Sequence, residues 1–133
     1  MKIYLAYKFS GADTQALKQR LIELSNVLKK QGHETFVFFR DIQNWGKIKT
    51  DIKEVVDKAT EAMKDCDMIL ADVSEKPNGV YYEIGVARGL EKKVVVMCEA
   101  GKEAAFLKAT ADEVIEYEDW DELVRNIEKW MNM

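Results

Sequence analysis

The feature that most constrains this chain is a regular alternation of short apolar runs with longer amphipathic segments. The apolar runs have the length of strands and cover residues 2–7, 34–39, 68–73, 93–98 and 113–117. Continuous apolar runs are typical of strands that are buried on both faces, with helices covering the sheet. We therefore predict an α/β fold, a flavodoxin-like three-layer sandwich whose five-stranded parallel sheet has the order 2-1-3-4-5.

Between these strands, the amphipathic segments predict long helices over residues 13–31 and 51–66, a loop over residues 40–50, and a helix over residues 80–91. Apolar residues spaced by three and four form the inward stripe of the first helix. That stripe contains Leu17, Leu21, Leu24 and Leu28. The inward residues predicted for the second helix are Ile52, Val55, Val56, Ala59 and Met63.

Helix ends are marked by residues that suit capping positions. Asp13 is predicted to cap the first helix, with Gly32 just past its end, and Thr50 to cap the second. A short helix is expected near residues 102–109. Asp119 and Glu122 resemble a capping box for the last helix. That helix is expected to bury Leu123, Ile127 and Trp130.

Composition narrows the class of protein. A chain of 133 residues fits a single domain, which we place at residues 1–133. The net charge of −4 argues against a nucleic-acid-binding role. No stretch resembles a signal peptide or approaches the roughly 18 apolar residues of a membrane span. Cys66 and Cys98 lie in apolar stretches, where buried, reduced thiols are expected. We therefore predict a soluble cytoplasmic protein that does not interact with a membrane.

The predicted topology locates a candidate site. Ligands of such sheets bind at the carboxyl ends of the strands, where the strand order reverses, which here lies between strands one and three. The loop after strand one contains Tyr7, Lys8, Ser10 and Gly11, and residues 74–79 follow strand three. The loop after strand two, from Arg40 to Trp45, is expected to flank both.

A glutamate in the helix after strand three is the leading candidate for chemistry. Gly79 is predicted to start this helix, and Glu83 lies about one turn inside it. The helix N-terminus favours an ionised carboxylate, which suits an oxygen nucleophile. The small residues Gly85 and Ala87 are expected to let the helix pack closely on the sheet. The alternative is an ordinary glutamate that only stabilises the first helical turn.

The same segment resembles the nucleoside 2-deoxyribosyltransferase-like family, whose hallmark is a glycine turn and a helix reading G-x-x-E-[LI]-G-x-A. The matching residues run from Gly79 to Ala87, with three residues instead of two between Gly79 and Glu83 and with Tyr81 where relatives often have a second glycine. The segment Ile3-Tyr4-Leu5-Ala6-Tyr7, with Ser10-Gly11, also resembles the family's first strand and loop. The resemblance covers residues 2–117.

The resemblance implies an activity on N-glycosidic bonds. The family contains transferases that exchange bases between deoxynucleosides, and hydrolases of deoxynucleoside 5′-monophosphates. In both, the glutamate attacks C1′ of the deoxyribose, so Glu83 is expected to form a covalent glycosyl ester before water or a second base attacks. The small-molecule partner is thus a nucleoside or nucleotide, with no cofactor and no metal. Relatives form dimers or larger assemblies, so a homo-oligomer is expected.

The departing base requires a proton, and the resemblance leaves its source open. Relatives place an aspartate on the helix before strand three, where the matching residue by spacing is Ala59. Asp57 and Glu61 lie two residues to either side, on another face of the helix. Asp72, at the end of strand three, and Asp41, after strand two, are the other candidates.

Further residues are candidates for binding the substrate. Lys8 and Ser10 fall where the monophosphate hydrolases have a serine and an arginine, with the residue types changed, and backbone N–H groups of this loop could hold a phosphate. Asn78 falls near a serine that contacts the phosphate in that branch. Tyr7 and Trp45 could stack on a base. Trp45 could instead contact another subunit, Ser10 could merely cap a helix, and Phe39 fits the core better.

Three other functions compete with this interpretation. The first is an N-glycosidase whose sugar is ribose, acting on ribonucleotides or NAD, in which Tyr81 or Tyr82 would shape the pocket around the 2′ carbon. The second is a receiver or flavodoxin module, although Ala6-Tyr7-Lys8 lacks the clustered acids of a receiver and the next residues lack a flavodoxin phosphate loop. The third is a nucleotide sensor that has lost catalysis, which Ala59 would explain.

Overall fold

The structure is a computed structural model that describes residues 1–8, 13–75 and 78–132. Its strands are β1 (Lys2–Ala6), β2 (Glu34–Val37), β3 (Met68–Asp72), β4 (Lys93–Glu99) and β5 (Glu113–Tyr117). Its helices are α1 (Thr14–Lys30), α2 (Phe38–Asp41), α3 (Ile52–Asp65), α4 (Asn78–Gly89), α5 (Ala105–Ala109) and α6 (Trp120–Met131).

The five strands form one parallel sheet in the order β2-β1-β3-β4-β5, which confirms the predicted fold. Strand β1 pairs with both β2 and β3, with Leu5 opposite Val37 on one side and opposite Leu70 on the other. The switch point between β1 and β3 is therefore where the sequence placed it.

Helices cover both faces of the sheet because every central strand is apolar on both sides. Alternate residues of β1 separate the two cores: Tyr4 joins the core under α3 and α4, whereas Leu5 joins the core under α1 and α6. The predicted leucine stripe of α1 is buried, as are Leu123 and Ile127 of α6. Both cysteines are also buried and free, as expected.

The capping predictions are largely confirmed. The Asp13 carboxylate accepts hydrogen bonds from the N–H groups of Gln15 and Ala16, and Gly32 has the left-handed φ of 88° expected just past a helix. Asp119 accepts from the N–H of Glu122. The prediction of Thr50 as a cap was wrong, because the Asp51 carboxylate takes that position and accepts from the N–H of Glu54.

Two other predictions about local structure were also wrong. Strand β2 ends at Val37, and Phe38–Asp41 form one helical turn instead of extending the strand. The Asp41 carboxylate accepts from the N–H of Val37 and so stabilises this turn. Ile52, predicted to point inward, is the first residue of α3 and is 83% exposed.

In the part of the chain that the structure describes, none of the helices has the length and apolar character needed to cross a membrane.

Candidate active site

A cavity of about 640 Å³ lies at the carboxyl ends of β1 and β2, next to the switch point. This volume is in the range of small-molecule sites. Strand β1 contributes Leu5 and Ala6, and α3 contributes an apolar side made of Ile52, Val55, Val56 and Ala59. The first turns of α4 close the opposite side with Asn78, Gly79, Val80, Tyr82 and Glu83.

The Glu83 carboxylate is held by a buried tyrosine of β1. The Tyr4 hydroxyl donates a short hydrogen bond to Glu83 Oε2. Tyr4 is fully buried, and its ring packs against Phe36 with centroids 5.0 Å apart. The rigid β1 strand therefore fixes one carboxylate oxygen of Glu83 and leaves the other oxygen unengaged by this bond.

Burial determines the proton affinity of this carboxylate. Removal from water raises the pKa of Glu83 to about 7, although the hydrogen bond from Tyr4 lowers it. The sequence argument considered only the helix N-terminus, which favours the ionised form. The desolvation cost is larger here, because the Glu83 carboxyl group lies against Tyr4 of β1, largely removed from water. A carboxyl group of this kind is partly protonated near neutral pH.

Ala59, which spacing along the sequence matches to an aspartate of relatives, lies at the cavity. Ala59 lines the cavity and is 5% exposed. Its neighbours face solvent, where Asp57 pairs with Lys53 at 2.7 Å and Glu61 pairs with Lys64 at 2.9 Å. The structure therefore does not bring Asp57 or Glu61 to Glu83. Each lies two residues from Ala59, and residues two apart on a helix lie on different faces.

Asp72 lies on the opposite face of the sheet from Glu83. Its two oxygens accept hydrogen bonds from the Tyr117 hydroxyl at 2.9 Å and from the Ser74 N–H at 2.9 Å. The Ser74 hydroxyl in turn accepts from the N–H of Glu99 at 2.8 Å. Asp72 does not line the cavity, and its contacts join the ends of β3, β4 and β5.

Asp41 is likewise engaged away from the cavity. Arg40 donates to both of its oxygens, from Nε at 2.8 Å and from Nη2 at 2.9 Å. The same guanidinium donates to the Thr35 carbonyl at 2.7 Å and to the Ser25 hydroxyl at 3.3 Å. This network fastens the α2 turn to α1 and β2, which is a structural role.

Trp45 packs on the protein instead of lining the cavity. The rings of Trp45 and Phe39 pack edge to face with their centroids 5.3 Å apart, and the Lys18 ammonium lies 5.3 Å from the centroid of the Trp45 ring. Asn44, Trp45 and Gly46 all have positive φ, which turns the chain back over Phe39. Phe39 is 7% exposed, as expected of a core residue, and it also lines the cavity.

Four of the predicted binding residues do meet at the cavity, whereas Asp41 and Trp45 do not. Tyr7, Lys8, Asn78 and Gly79 all line it, and Lys8 and Asn78 are exposed. Ser10 and Gly11 lie outside the described residues. The predicted packing role of Gly85 was wrong, because Gly85 is exposed and has open space where a side chain would be, whereas Ala87 is buried as expected.

Sequence reasoning missed three polar side chains at or next to the cavity. Tyr4 was treated as part of an apolar strand, although its hydroxyl needs a partner once it is buried, and that need was the available signal. Gln43 and Thr50 both line the cavity, and the Gln43 amide donates to the Thr50 hydroxyl at 3.0 Å. Both lie in the segment predicted as a loop, in which Thr50 was considered only as a helix cap.

Chemically, the arrangement presents one carboxylate, partly desolvated, to a largely apolar cavity. Among the described residues, Glu83 is the only carboxylate that lines it, and no cluster of His, Cys, Asp and Glu there could hold a metal ion. A carboxylate fixed through one oxygen can attack an electrophilic carbon with the other.

Comparisons with solved structures agree with this fold. The chain resembles the solved structure of the CMP N-glycosidase BcmB from Clostridium botulinum, with a TM-score of 0.75, 18% identity and coverage of 98% of this chain and 99% of that one. It also resembles the 2-deoxyribosyltransferase of Bacillus psychrosaccharolyticus, with a TM-score of 0.69, 22% identity and coverage of 96% and 90%. At such identities these likenesses show the fold alone.

Family membership rests on a sequence comparison. No curated protein sequence matches the chain. The profile described as nucleoside 2-deoxyribosyltransferase matches residues 3–131, which is nearly the whole chain. The chain therefore belongs to the nucleoside 2-deoxyribosyltransferase family.

Proposed function

We propose that this protein cleaves or transfers at the N-glycosidic bond of 2′-deoxynucleosides or their 5′-monophosphates, with Glu83 as its nucleophile. The observation that carries the proposal is the placement of Glu83 in a cavity at the switch point, oriented by Tyr4. Membership of the family supports this class of substrate and bond.

The reaction would proceed through two displacements at C1′. An oxygen of the Glu83 carboxylate bonds to C1′ while the bond from C1′ to the base nitrogen breaks, and its electron pair leaves with the base, which takes up a proton. Water or a second base then attacks C1′ from the other face and loses a proton. The ester bond breaks and returns Glu83 as a carboxylate.

Tyr4 would orient the nucleophile in both steps. Its hydroxyl donates to one oxygen of Glu83, which lowers the pKa of the carboxyl and so favours the reactive form. The same bond keeps the second oxygen directed away from β1. Tyr4 would therefore act as a positioning residue through Glu83.

The remaining binding residues follow from the cavity. Lys8, Asn78 and Gly79 would hold a 5′-phosphate where the loop after β1 meets the start of α4, with Ser10 and Gly11 as further proposed contacts. Tyr7 and the amide of Gln43 would contact the base. We give Asp41 and Trp45 supporting roles in this account, because both are engaged outside the cavity.

The proton for the departing base would come from solvent at the cavity mouth. Asp57 and Asp72, the candidates from the sequence, are paired elsewhere, with Lys53 and with Tyr117 respectively. Lys8 is exposed at the same mouth and could relay a proton from water.

A second candidate function is nucleotide sensing without turnover. The observation that favours it is Ala59, which lies in the cavity where the resemblance to the family implies an aspartate. A sensor would keep the binding residues and release no base. An N-glycosidase acting on ribonucleotides or NAD would release base from ribose substrates instead.

We also propose that the protein is a cytoplasmic homo-oligomer. Ile52 lines the cavity mouth and is 83% exposed, and Ile48 is 52% exposed in the preceding segment. Large apolar side chains exposed together are typical of surfaces that another protein covers. A second copy covering them would also restrict access to the cavity.

Base release tests the proposed function. The purified protein is incubated with deoxynucleosides and their 5′-monophosphates, and with the matching ribose compounds, and the free base is measured by chromatography. We expect release from at least one deoxyribose compound, lost in Glu83→Gln. The control is Glu61→Gln, which alters an exposed glutamate of α3 and should keep full activity.

Three other results would redirect the proposal. Release from ribose compounds only would favour the ribonucleotide or NAD alternative. Binding without any release would favour the sensor. Equal release by wild type and Glu83→Gln would contradict Glu83 as the nucleophile.

A further inference from the structure

A chain of hydroxyl groups ties α4 to α3 beside the cavity. The Tyr82 hydroxyl lies 2.8 Å from the Thr60 hydroxyl, and the Thr60 hydroxyl donates to the Val56 carbonyl at 2.8 Å. Thr60 has one hydroxyl hydrogen, and the Val56 carbonyl takes it. Tyr82 is therefore the donor to Thr60, and this bond fixes the direction of its ring across the gap between the two helices.

The ring held in this way lines the cavity that contains the Glu83 carboxylate. Tyr82 lines the same cavity as Glu83 and precedes it directly in α4. The Tyr82 phenol is also close enough to Tyr4, the partner of Glu83, to help raise the pKa of Tyr4. Tyr4, Glu83 and Tyr82 thus form one cluster, of which Glu83 and Tyr82 line the cavity.

The neighbouring tyrosine provides an internal comparison. Tyr81 is 40% exposed and Tyr82 is 43% exposed, so the two rings differ little in exposure. Only Tyr82 lines the cavity and bonds to α3. The bond to Thr60 of α3 holds the Tyr82 ring in place at the cavity, whereas Tyr81 is exposed and does not line the cavity.

We infer that Tyr82, held by Thr60, is a specificity-determining residue that excludes the 2′-hydroxyl of ribose from the cavity. This inference rests on the proposed function, in which Glu83 attacks C1′. Because C2′ is bonded to C1′, its substituents lie next to the attacking carboxylate, in the cavity that the neighbouring residue Tyr82 also lines. Thr60 is then a positioning residue that acts through Tyr82.

Ligand binding tests this inference without turnover. In a Glu83→Gln background, calorimetry measures Kd for a deoxynucleoside 5′-monophosphate and for the ribonucleotide of the same base. The readout is the ratio of the two Kd values. We expect Tyr82→Ala to shift this ratio towards the ribonucleotide by about tenfold, since small shape changes in a pocket change discrimination by that order.

Matched variants separate this role from a general loss of structure. Thr60→Val keeps the shape and removes the acceptor, so it should shift the ratio in the same direction by a smaller factor. Thr60→Ser keeps the hydroxyl that accepts from Tyr82, so its ratio of Kd values should equal that of the background protein. Tyr81→Ala should leave the ratio unchanged, and circular dichroism establishes that each variant is folded.

The outcomes distinguish the two proposals. An unchanged ratio in folded Tyr82→Ala, with base release by the wild type intact, would overturn the inference and leave the proposed function standing. A shifted ratio in a protein that releases no base would support the inference and overturn the proposed catalysis. Equal shifts in Tyr81→Ala and Tyr82→Ala would overturn the inference, as would a failure of every nucleotide to bind.

Discussion

Replacing Glu83 by glutamine should stabilise the protein at high pH and leave its stability nearly unchanged at low pH. The side chain is taken from water and faces the sheet, and this burial raises its pKa from 4.5 to about 7. Below pH 4.5 the carboxyl is protonated in both folded and unfolded chains, so a neutral glutamine resembles it. Above pH 7 the folded wild type contains a carboxylate that is costly to bury.

The size of the effect follows from the shift. The folded state binds the proton more tightly, so wild-type stability falls as pH rises between 4.5 and about 7 and then levels off. At about 1.4 kcal/mol for each pKa unit, the full difference is about 3 kcal/mol. A domain's total stability is about 5–15 kcal/mol, so a change of this order is readily measured.

Urea unfolding followed by circular dichroism at pH 4, 6 and 9 provides the assay. The difference between Glu83→Gln and wild type should grow across this series. Glu128→Gln, which changes an exposed residue of α6, is the control and should give a difference that does not vary with pH. A flat difference for Glu83→Gln would refute the assignment of Glu83 as a desolvated carboxyl.

Three more predictions concern activity, local structure and assembly. Activity as kcat/KM should rise with pH up to about 7 as Glu83 ionises. The hydrogen bond from Tyr4 lowers the pKa of Glu83, so its loss in Tyr4→Phe should raise that pKa and move the rise in activity to higher pH. The pH–rate profiles of both proteins check this, and an unshifted profile would contradict it. Arg40→Met should lower the free energy of unfolding, measured with urea, by about 1–3 kcal/mol, because the Thr35 carbonyl and the Asp41 carboxylate lose their donor. A urea midpoint equal to that of the wild type would show that the network does not contribute to stability. Ile52→Lys should weaken self-association, because it places a charge on the exposed apolar surface proposed as the interface, where Ile52 is 83% exposed. Analytical ultracentrifugation of both proteins checks this, and the same oligomeric state in the variant would contradict it.

The fold could be predicted because its signals are local and repeated. Each strand reads as an apolar run, each long helix carries a stripe, and parallel connections allow few topologies. The prediction went wrong where one polar side chain decides the backbone. The Asp41 carboxylate accepts from the N–H of Val37 and closes the α2 turn, which no periodicity reveals.

The candidate site was only partly predictable, for a different reason. The topology located the switch point, and the resemblance singled out Glu83, which does line the cavity. The sequence could not decide which candidate acid lies near Glu83. In the structure Asp72 is bonded to Tyr117, which is distant in the sequence, and Asp57 is paired with Lys53 on the solvent-facing side of α3. Such pairings are three-dimensional facts that spacing along the chain does not contain.

The proton affinity of Glu83 was also beyond the sequence. A helix N-terminus argues for an ionised carboxylate, and this argument needs only residue positions. Burial argues the other way and is larger here, but it depends on how α4 lies against β1 and on the contact with Tyr4.

The central claim is that Glu83 forms a covalent bond to the sugar, and intact-protein mass spectrometry during turnover tests it most directly. The protein is mixed with a deoxynucleoside or deoxynucleoside 5′-monophosphate that releases base, quenched in acid within the first turnovers, and digested to locate any adduct. The account predicts a deoxyribosyl or phosphodeoxyribosyl adduct on Glu83 that is absent in Glu83→Gln. Sustained base release with no adduct at any quench time, or an adduct on another residue, would contradict it.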